Sequence, residues 1–260
     1  MAPQLGARSL PTALDEGASS GSELGRAHAD LWVARALTLG PVALVLPLAS
    51  MAVFGFDTDR AATADVTAVV YSFGLFLGFT TSFWPLRSLR GWSFARRAES
   101  AALAFMVVSY VTHLSWELGW LVFHDAIAAS RDAAWAYPWW AYIDGGDARY
   151  LHAPPDLLIM EALSVLNGLV GVIGLRLWFR SNKTDRRGVL MCMGTAVVHL
   201  YSVSLYYGSE LVAGLPNVGS GWLDIMVKFG LANAPWAVFP WLVLYWGSCA
   251  LRLDRGSVGD

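Results

Sequence analysis

Uncharged apolar stretches about 20 residues long recur along this chain, each closed off by charged or turn-forming residues. A bilayer hydrocarbon core about 30 Å thick asks for roughly 20 apolar residues in each crossing helix, a length that soluble cores do not need. Ala36–Phe56 and Val66–Leu86 carry no charge, and four further runs, about 101–124, 157–179, 188–209 and 224–251, hold only one to three Asp, Glu, Lys, Arg or His residues each. The pattern predicts an all-α, polytopic transmembrane helix bundle of about six spans. Two N-terminal helices fall within 31–87, and the remaining spans within 88–252, interrupted by a long loop at 125–156. Residues 1–30 are rich in Gly, Ala and Ser, with Asp15, Glu16 and Glu23 breaking any apolar stretch, so they read as a disordered, uncleaved tail rather than a signal or transit peptide. Residues 253–260 read as a second tail. There is no internal repeat and no matched pair of broken helices of the kind transporters use, although Pro41, Pro47, Pro235 and Pro240 are placed to kink single spans.

Composition agrees with the pattern, at 56% hydrophobic and 15% charged residues. Charge adds an orientation, because cytoplasmic loops retain Lys and Arg. Arg87, Arg90, Arg96 and Arg97 follow the second span, Lys183, Arg186 and Arg187 the fourth, and Arg252 and Arg255 the sixth, whereas the opposite loops hold only Arg60, Arg131 and Arg149 as Lys or Arg. Both termini are expected on the cytoplasmic side. A net charge of −2 points to no nucleic-acid partner. Cys192 and Cys249 both lie inside spans, which excludes a disulfide framework.

The loop 125–156 carries Trp135, Tyr137, Trp139, Trp140, Tyr142 and Tyr150. Such rings favour the headgroup layer, so the first expectation is an interfacial belt, with a folded lid as the alternative suggested by the loop's length.

Ionisable groups inside a span cost several kcal/mol, on the order of 3, and those retained usually face a cavity or a partner. In the third span Tyr110, His113, Glu117 and Trp120 follow one another at helical spacing, which places them on one face. The fourth span adds Glu161 and Ser164, the fifth His199, Ser202 and Tyr206, and the sixth Asn233 and Trp236. At about 1.5 Å per residue, His113, His199 and Asn233 come out about 14–16 Å below the outer surface, Trp236 about 18 Å, Glu117 about 10 Å and Glu161 about 6 Å, so all can share one outward-facing pocket. Glu117 and Glu161 read as functional, because a buried carboxyl is a costly packing device, while Ser164, Ser202 and His199 read as hydrogen bonds between helices. Asp224 and Lys228, one turn apart at a helix entrance, read as a local pair with Lys228 snorkelling. His113 and Glu117 have ligand spacing, but bundle di-metal sites repeat Glu and Glu-x-x-His sets, and five histidines are too few for a membrane oxygenase, so no metal is expected.

Five segments in order resemble motifs of the EXPERA family, and most closely its emopamil-binding, sterol-isomerase branch. They are His113-Leu-Ser-Trp-Glu117-Leu-Gly-Trp120, in which Leu118 is an insertion, Tyr142-Ile-Asp-Gly-Gly-Asp147-Ala-Arg149-Tyr150, Met160-Glu161-Ala-Leu-Ser164, Leu205-Tyr206-Tyr207-Gly-Ser209-Glu210 and Asn233-Ala-Pro-Trp236. The resemblance covers about 88–252. It departs at Tyr201-Ser202-Val203, at Ser164 and in one extra N-terminal span ahead of a five-helix bundle. What it implies is an integral-membrane Δ8-Δ7 sterol isomerase, an intramolecular isomerase that protonates a ring alkene, passes through a carbocation and loses a neighbouring proton, with no cofactor. His113, Glu117, Glu161, Asn233 and Trp236 would then be catalytic. Glu161 or His113 would donate the proton, Glu117 would anchor His113 or offset the cation, Trp236 would face the cation and Asn233 would orient an acid or ligand. Tyr110, Trp120, Ser164, Tyr206 and Tyr142 would bind substrate, and the partners would be a sterol or related polycyclic lipid and membrane lipids, with a homodimer left open. The rival readings are a non-catalytic sterol or amine receptor and an isomerase of another polycyclic terpenoid. The host membrane would be a bacterial inner membrane, or the endoplasmic reticulum in a eukaryote. The C-terminal Gly-Ser-Val-Gly-Asp, without a dilysine signal, favours the former.

Overall fold

A computed structural model describes residues 28–256. The expected tails therefore lie outside the described residues, except that 28–30 lead into the first helix and 253–256 continue the last. Among the described residues there are helices and no strands. The chain runs α1 Ala29–Phe56, α2 Arg60–Thr80, α3 Phe94–Thr112, a π-helical segment His113–Glu117, α4 Leu118–Ala129, α5 Tyr137–Ile143, α6 Arg149–His152, α7 Pro155–Arg180, α8 Arg186–Ala213, a second π-helical segment Asp224–Leu231, α9 Pro235–Val238 and α10 Pro240–Gly256. Among the described residues five helices are long and apolar enough to cross a membrane, and a sixth crossing results if Asp224–Leu231 and Pro235–Arg252 form one span bent by 48°. Pro235 and Pro240 lack the N–H that would continue the helix ladder, which accounts for the break. Leu37, Leu44, Val66, Val111, Ile159 and Val197 are exposed on the perimeter. In water such a surface would drive aggregation, while in lipid it is the favourable one.

Side-chain caps start several helices where the sequence changes from polar to apolar. Asp59 accepts from Ala62 N at 2.7 Å, Ser93 from Arg96 N at 3.3 Å and Asp185 from Arg187 N at 2.8 Å. α3, α7, α8 and α10 pack into a ring, α3 touching α7 and α10, and α8 touching the same two. α2 lies against α3 and the second π segment, and α1 packs along α2. Gly74 and Gly78 of α2 admit Val42 and Leu39 of α1, since a Cβ at those glycines would fall 2.4 and 2.2 Å from these side chains. At the end bearing Arg87–Arg97 and Lys183–Arg187, Arg35 of α1 donates to the carbonyl and hydroxyl of Ser100 on α3, both at 2.8 Å.

α7 and α8 approach at Gly174 and Gly188. A Cβ on Gly188 would fall 2.6 Å from the Gly174 carbonyl oxygen and 2.8 Å from Trp178 N, which are backbone atoms that can yield only by separating the helices. Gly188→Ala is therefore expected to cost about 1–3 kcal/mol of stability, read as a lowered unfolding midpoint in detergent micelles. Gly194→Ala, in the same helix with nothing within 4 Å of its Cβ, serves as the neutral control. Equal midpoints for the two variants would contradict the close crossing.

Two apolar clusters fill the bundle. One, at the basic end, gathers Phe79, Phe105, Trp178, Phe239 and Trp246, and the other, at the opposite end, gathers Trp120, Ile127, Tyr137, Trp140 and Phe229. The loop 125–156 belongs to the second. Instead of an interfacial belt it is a folded cap, with Tyr137, Trp140 and Tyr150 buried and Trp135 remaining exposed. Each ring's polar atom finds a carbonyl or carboxylate, which removes the reason to stay at the interface. Trp140 Nε1 donates to Ile127 O at 2.8 Å, and Tyr137 O–H donates to Arg60 O at 3.0 Å.

Candidate functional site

Between the two clusters lies a cavity of about 520 Å³, within the ~300–1,000 Å³ usual for small-molecule sites. Its walls are unequal. α1, α2 and α3 supply Leu39, Val42, Leu46, Ala68, Val107 and Val111, whereas the other side presents His113, Glu117, Glu161, Ser164, His199, Ser202 and Asn233. Val107 and Val111 line the cavity and are also 50% and 61% exposed, so the cavity reaches the apolar perimeter of the bundle beside α1.

The π-helical segment sets the aromatic and ionisable groups of the third span. It lies immediately before Leu118, the residue in excess of the EXPERA motif that this segment resembles, and an i→i+5 turn is how a helix absorbs one extra residue. The widened turn lets Thr112, His113, Ser115, Trp116 and Glu117 all line the cavity, an arc broader than one α-helical face. Tyr110 and Trp120, expected on that face as substrate contacts, leave it. Tyr110 turns under Gly171 to hydrogen-bond Thr195 Oγ1 at 2.6 Å, and Trp120 Nε1 donates to Tyr150 O at 2.9 Å. Both are fully packed and neither lines the cavity.

Toward the basic end, the polar groups form one connected set. His113 Nδ1 lies 2.5 Å from Glu117 Oε2, and His113 Nε2 lies 2.7 Å from His199 Nε2. Ser109 Oγ is within 3.1 and 3.2 Å of those two Nε2 atoms and accepts from Trp236 Nε1 at 2.9 Å. The Trp236 ring centroid stands 6.3 Å from that of His113. His199 does bridge helices as expected, but it also lines the cavity. Ser202 Oγ, expected to bridge, is buried with no hydrogen-bond partner among the described residues.

Toward the cap, Tyr150 O–H donates to Glu161 Oε1, and Glu161 Oε2 is buried and unpartnered among the described residues. A second chain of donors runs from Asn233 Nδ2 to Tyr142 Oη at 2.9 Å, from Tyr142 to Tyr206 Oη at 2.5 Å and from Tyr206 to Asp147 Oδ2 at 2.6 Å. It ends on a buried ion cluster in which Arg149 Nη2 meets Asp147 Oδ2 at 2.7 Å and Arg149 Nε meets Glu210 Oε1 at 3.1 Å. Burial opposes the charge on Arg149, but the Asp147 hydrogen bond and charge outweigh it and hold the guanidinium above its ordinary range. Burial also pushes the Tyr142 and Tyr150 hydroxyls up, so both act as neutral donors. Asn233, set level with the two histidines by the depth count, instead joins Tyr142. That count assumes a straight helix, and the sixth span is bent.

Lys228 does not snorkel. Its side chain is 6% exposed, with Nζ 2.8 Å from both Asp65 and Asp224 and donating to Asp144 O at 3.2 Å. Three glycines, Gly145, Gly219 and Gly221, make room for the Asp224 carboxylate. Lys228 lines the main cavity and also a second, polar pocket of about 760 Å³ that holds Asp59, Arg60, Arg131 and Asp144.

Of the ten residues singled out by sequence, His113, Glu117, Glu161, Ser164, Asn233, Trp236, Tyr142 and Tyr206 line the one cavity. Ser109, Trp116, Tyr150 and Asp147 complete the arrangement without having been singled out as site residues. Asp147-Ala-Arg149-Tyr150, part of one segment that carries the resemblance, was the available signal for Asp147 and Tyr150, whereas Ser109 carries none. Among the described residues, no group of three or more His, Cys, Asp or Glu converges as a metal ion would require. Comparison of the chain with protein-family models, curated proteins and solved structures finds no match.

Proposed function

We propose that this membrane protein is an isomerase that moves a ring double bond of a sterol or related polycyclic lipid by protonation, carbocation formation and deprotonation. One observation carries the reading: two buried carboxyl groups and two imidazoles face a largely apolar cavity that reaches the lipid-exposed perimeter, with Glu161 Oε2 left without a partner among the described residues. Such a shift needs an acid, a base, a dry site and something to offset the cation. Glu161 is the acid, held by Tyr150. Glu117 is the negative charge that offsets the cation, and Trp236 offers it a ring face, worth about 2 kcal/mol when desolvated. An apolar substrate dissolved in the bilayer would enter beside Val107 and Val111. The excess of Lys and Arg at one end supports placing that end, and both termini, in the cytoplasm.

The test is expression in membranes of cells lacking sterol isomerase, supplied with a Δ8-sterol in deuterated water. Product with a shifted double bond and one added deuterium supports the reading. Tight binding of a protonated polycyclic amine with no turnover would assign a receptor instead, because the site that offsets a carbocation also suits an ammonium group. Absence of both sterol and amine binding would remove the polycyclic lipid altogether.

A further inference from the structure

Proton counting along the cavity wall singles out a base that no motif in the sequence marks. Glu117, His113 and His199 are joined end to end, carboxylate to Nδ1 at 2.5 Å and Nε2 to Nε2 at 2.7 Å. A neutral imidazole carries one proton, on one of its two nitrogens, and two facing Nε2 atoms can bond only if one holds a proton and the other a lone pair. With Glu117 ionised, His113 donates from Nδ1 to the carboxylate, so its Nε2 must be the acceptor. His199 then keeps its proton on Nε2, and its Nδ1 is a bare lone pair. That Nδ1 is buried and has no partner among the described residues, on a ring that lines the cavity. Both nitrogens of His113, by contrast, are occupied within the protein, which leaves it no lone pair for a substrate.

We propose that His199 Nδ1 is the base that removes the second proton, with His113 and Glu117 as the relay behind it. The proposal rests on the isomerase reading. In the first step the O–H bond of Glu161 breaks, the alkene π pair takes the proton as a new C–H bond, and a ring carbocation remains. A neighbouring C–H bond then breaks, its pair becomes the new double bond, and its proton goes to His199 Nδ1. The proton on His199 Nε2 moves to His113 Nε2, and the one on His113 Nδ1 moves to Glu117. Glu161 ends as a carboxylate and Glu117 as a neutral acid, so total charge is unchanged. Water admitted after product release returns a proton to Glu161 and takes one from Glu117, and deuterium enters at this step. Ser109 fits the relay in both states, because its hydroxyl oxygen lies within reach of both Nε2 atoms and can share the proton of whichever carries it while also accepting from Trp236.

Two measurements on the full-length protein in lipid nanodiscs test this. The first is independent of turnover: nitrogen NMR of protein labelled with ¹⁵N-histidine, with His199 assigned by the signals lost in His199→Gln. An unprotonated Nδ1 on His199 and a coupling across the Nε2–H···Nε2 bond to His113 are expected, and a protonated Nδ1 or a missing coupling would overturn the relay. The second is Δ8-sterol turnover. His199→Gln and His199→Asn are each expected to lower kcat by about 10²–10⁴-fold while KM stays within about threefold, since an amide keeps polarity but takes no proton. Turnover by either variant close to that of the native protein rejects His199 as the base. A native protein that turns over no sterol, with the nitrogen signature intact, sinks the isomerase reading and the base role together while the hydrogen-bonded chain stands.

Discussion

Glu161→Gln is expected to lower isomerisation by about 10²–10⁴-fold in kcat, the usual contribution of a positioned general acid. The substitution keeps shape and burial, and the Gln carbonyl can still accept the Tyr150 hydroxyl that now meets Oε1. What it removes is the only feature the proposed reaction needs there, an O–H that can leave as a proton from the side of the group that has no partner among the described residues. Stability should therefore change little, and binding of a polycyclic ligand should persist. The measurement is single-turnover conversion of a Δ8-sterol by protein whose acid has first been exchanged by equilibration in deuterated water, with thermal unfolding of the same preparation as the folding control. Undiminished deuterium incorporation by a folded Glu161→Gln protein would move the acid to another group.

Asp147→Ala should produce the largest loss of stability, about 3–5 kcal/mol, because it strips a buried charge of its partner. Asp147 is fully buried and receives three hydrogen bonds from the Arg149 guanidinium and one from Tyr206. After its removal Arg149 would keep only Glu210 as a carboxylate partner, and Tyr206 and Tyr142 would lose the acceptor that ends their chain. The cap should then loosen before the bundle does, so proteolysis within 130–153 should accelerate along with the lowered unfolding midpoint. The exposed pair Lys183–Glu99, 2.9 Å apart, gives the contrast. Glu99→Ala is expected to cost about 0–1 kcal/mol, since water screens that pair and competes for it. Similar losses for the two variants would mean that the cap is not held by this ion cluster.

The spans were legible in the chain because lipid imposes a one-dimensional rule, about 20 uncharged residues per crossing, that needs no knowledge of neighbours. Buried carboxyls were legible for a related reason. Glu117 and Glu161 stand out in apolar runs, and their cost made them candidates before any partner was known. Tyr110 and Trp120 show where this reasoning stops. Helical spacing put them on the cavity face, but the π segment at His113–Glu117 breaks the periodicity on which that inference rests. Lys228 shows the same limit for charge, since its neighbour Asp224 was visible one turn away but Asp65, on a different span, was not.

By itself, then, the sequence determined the helical membrane architecture and the short list of expensive polar residues, because hydropathy and ionisation are properties of single residues and their near neighbours. The tertiary structure alone decided that the aromatic loop is a cap rather than a belt, that His113 is fully engaged while His199 keeps a nitrogen without a partner among the described residues, and that Ser109 lies between them. These are matters of which atoms from distant segments satisfy one another's hydrogen bonds, and that depends on packing that no local pattern encodes.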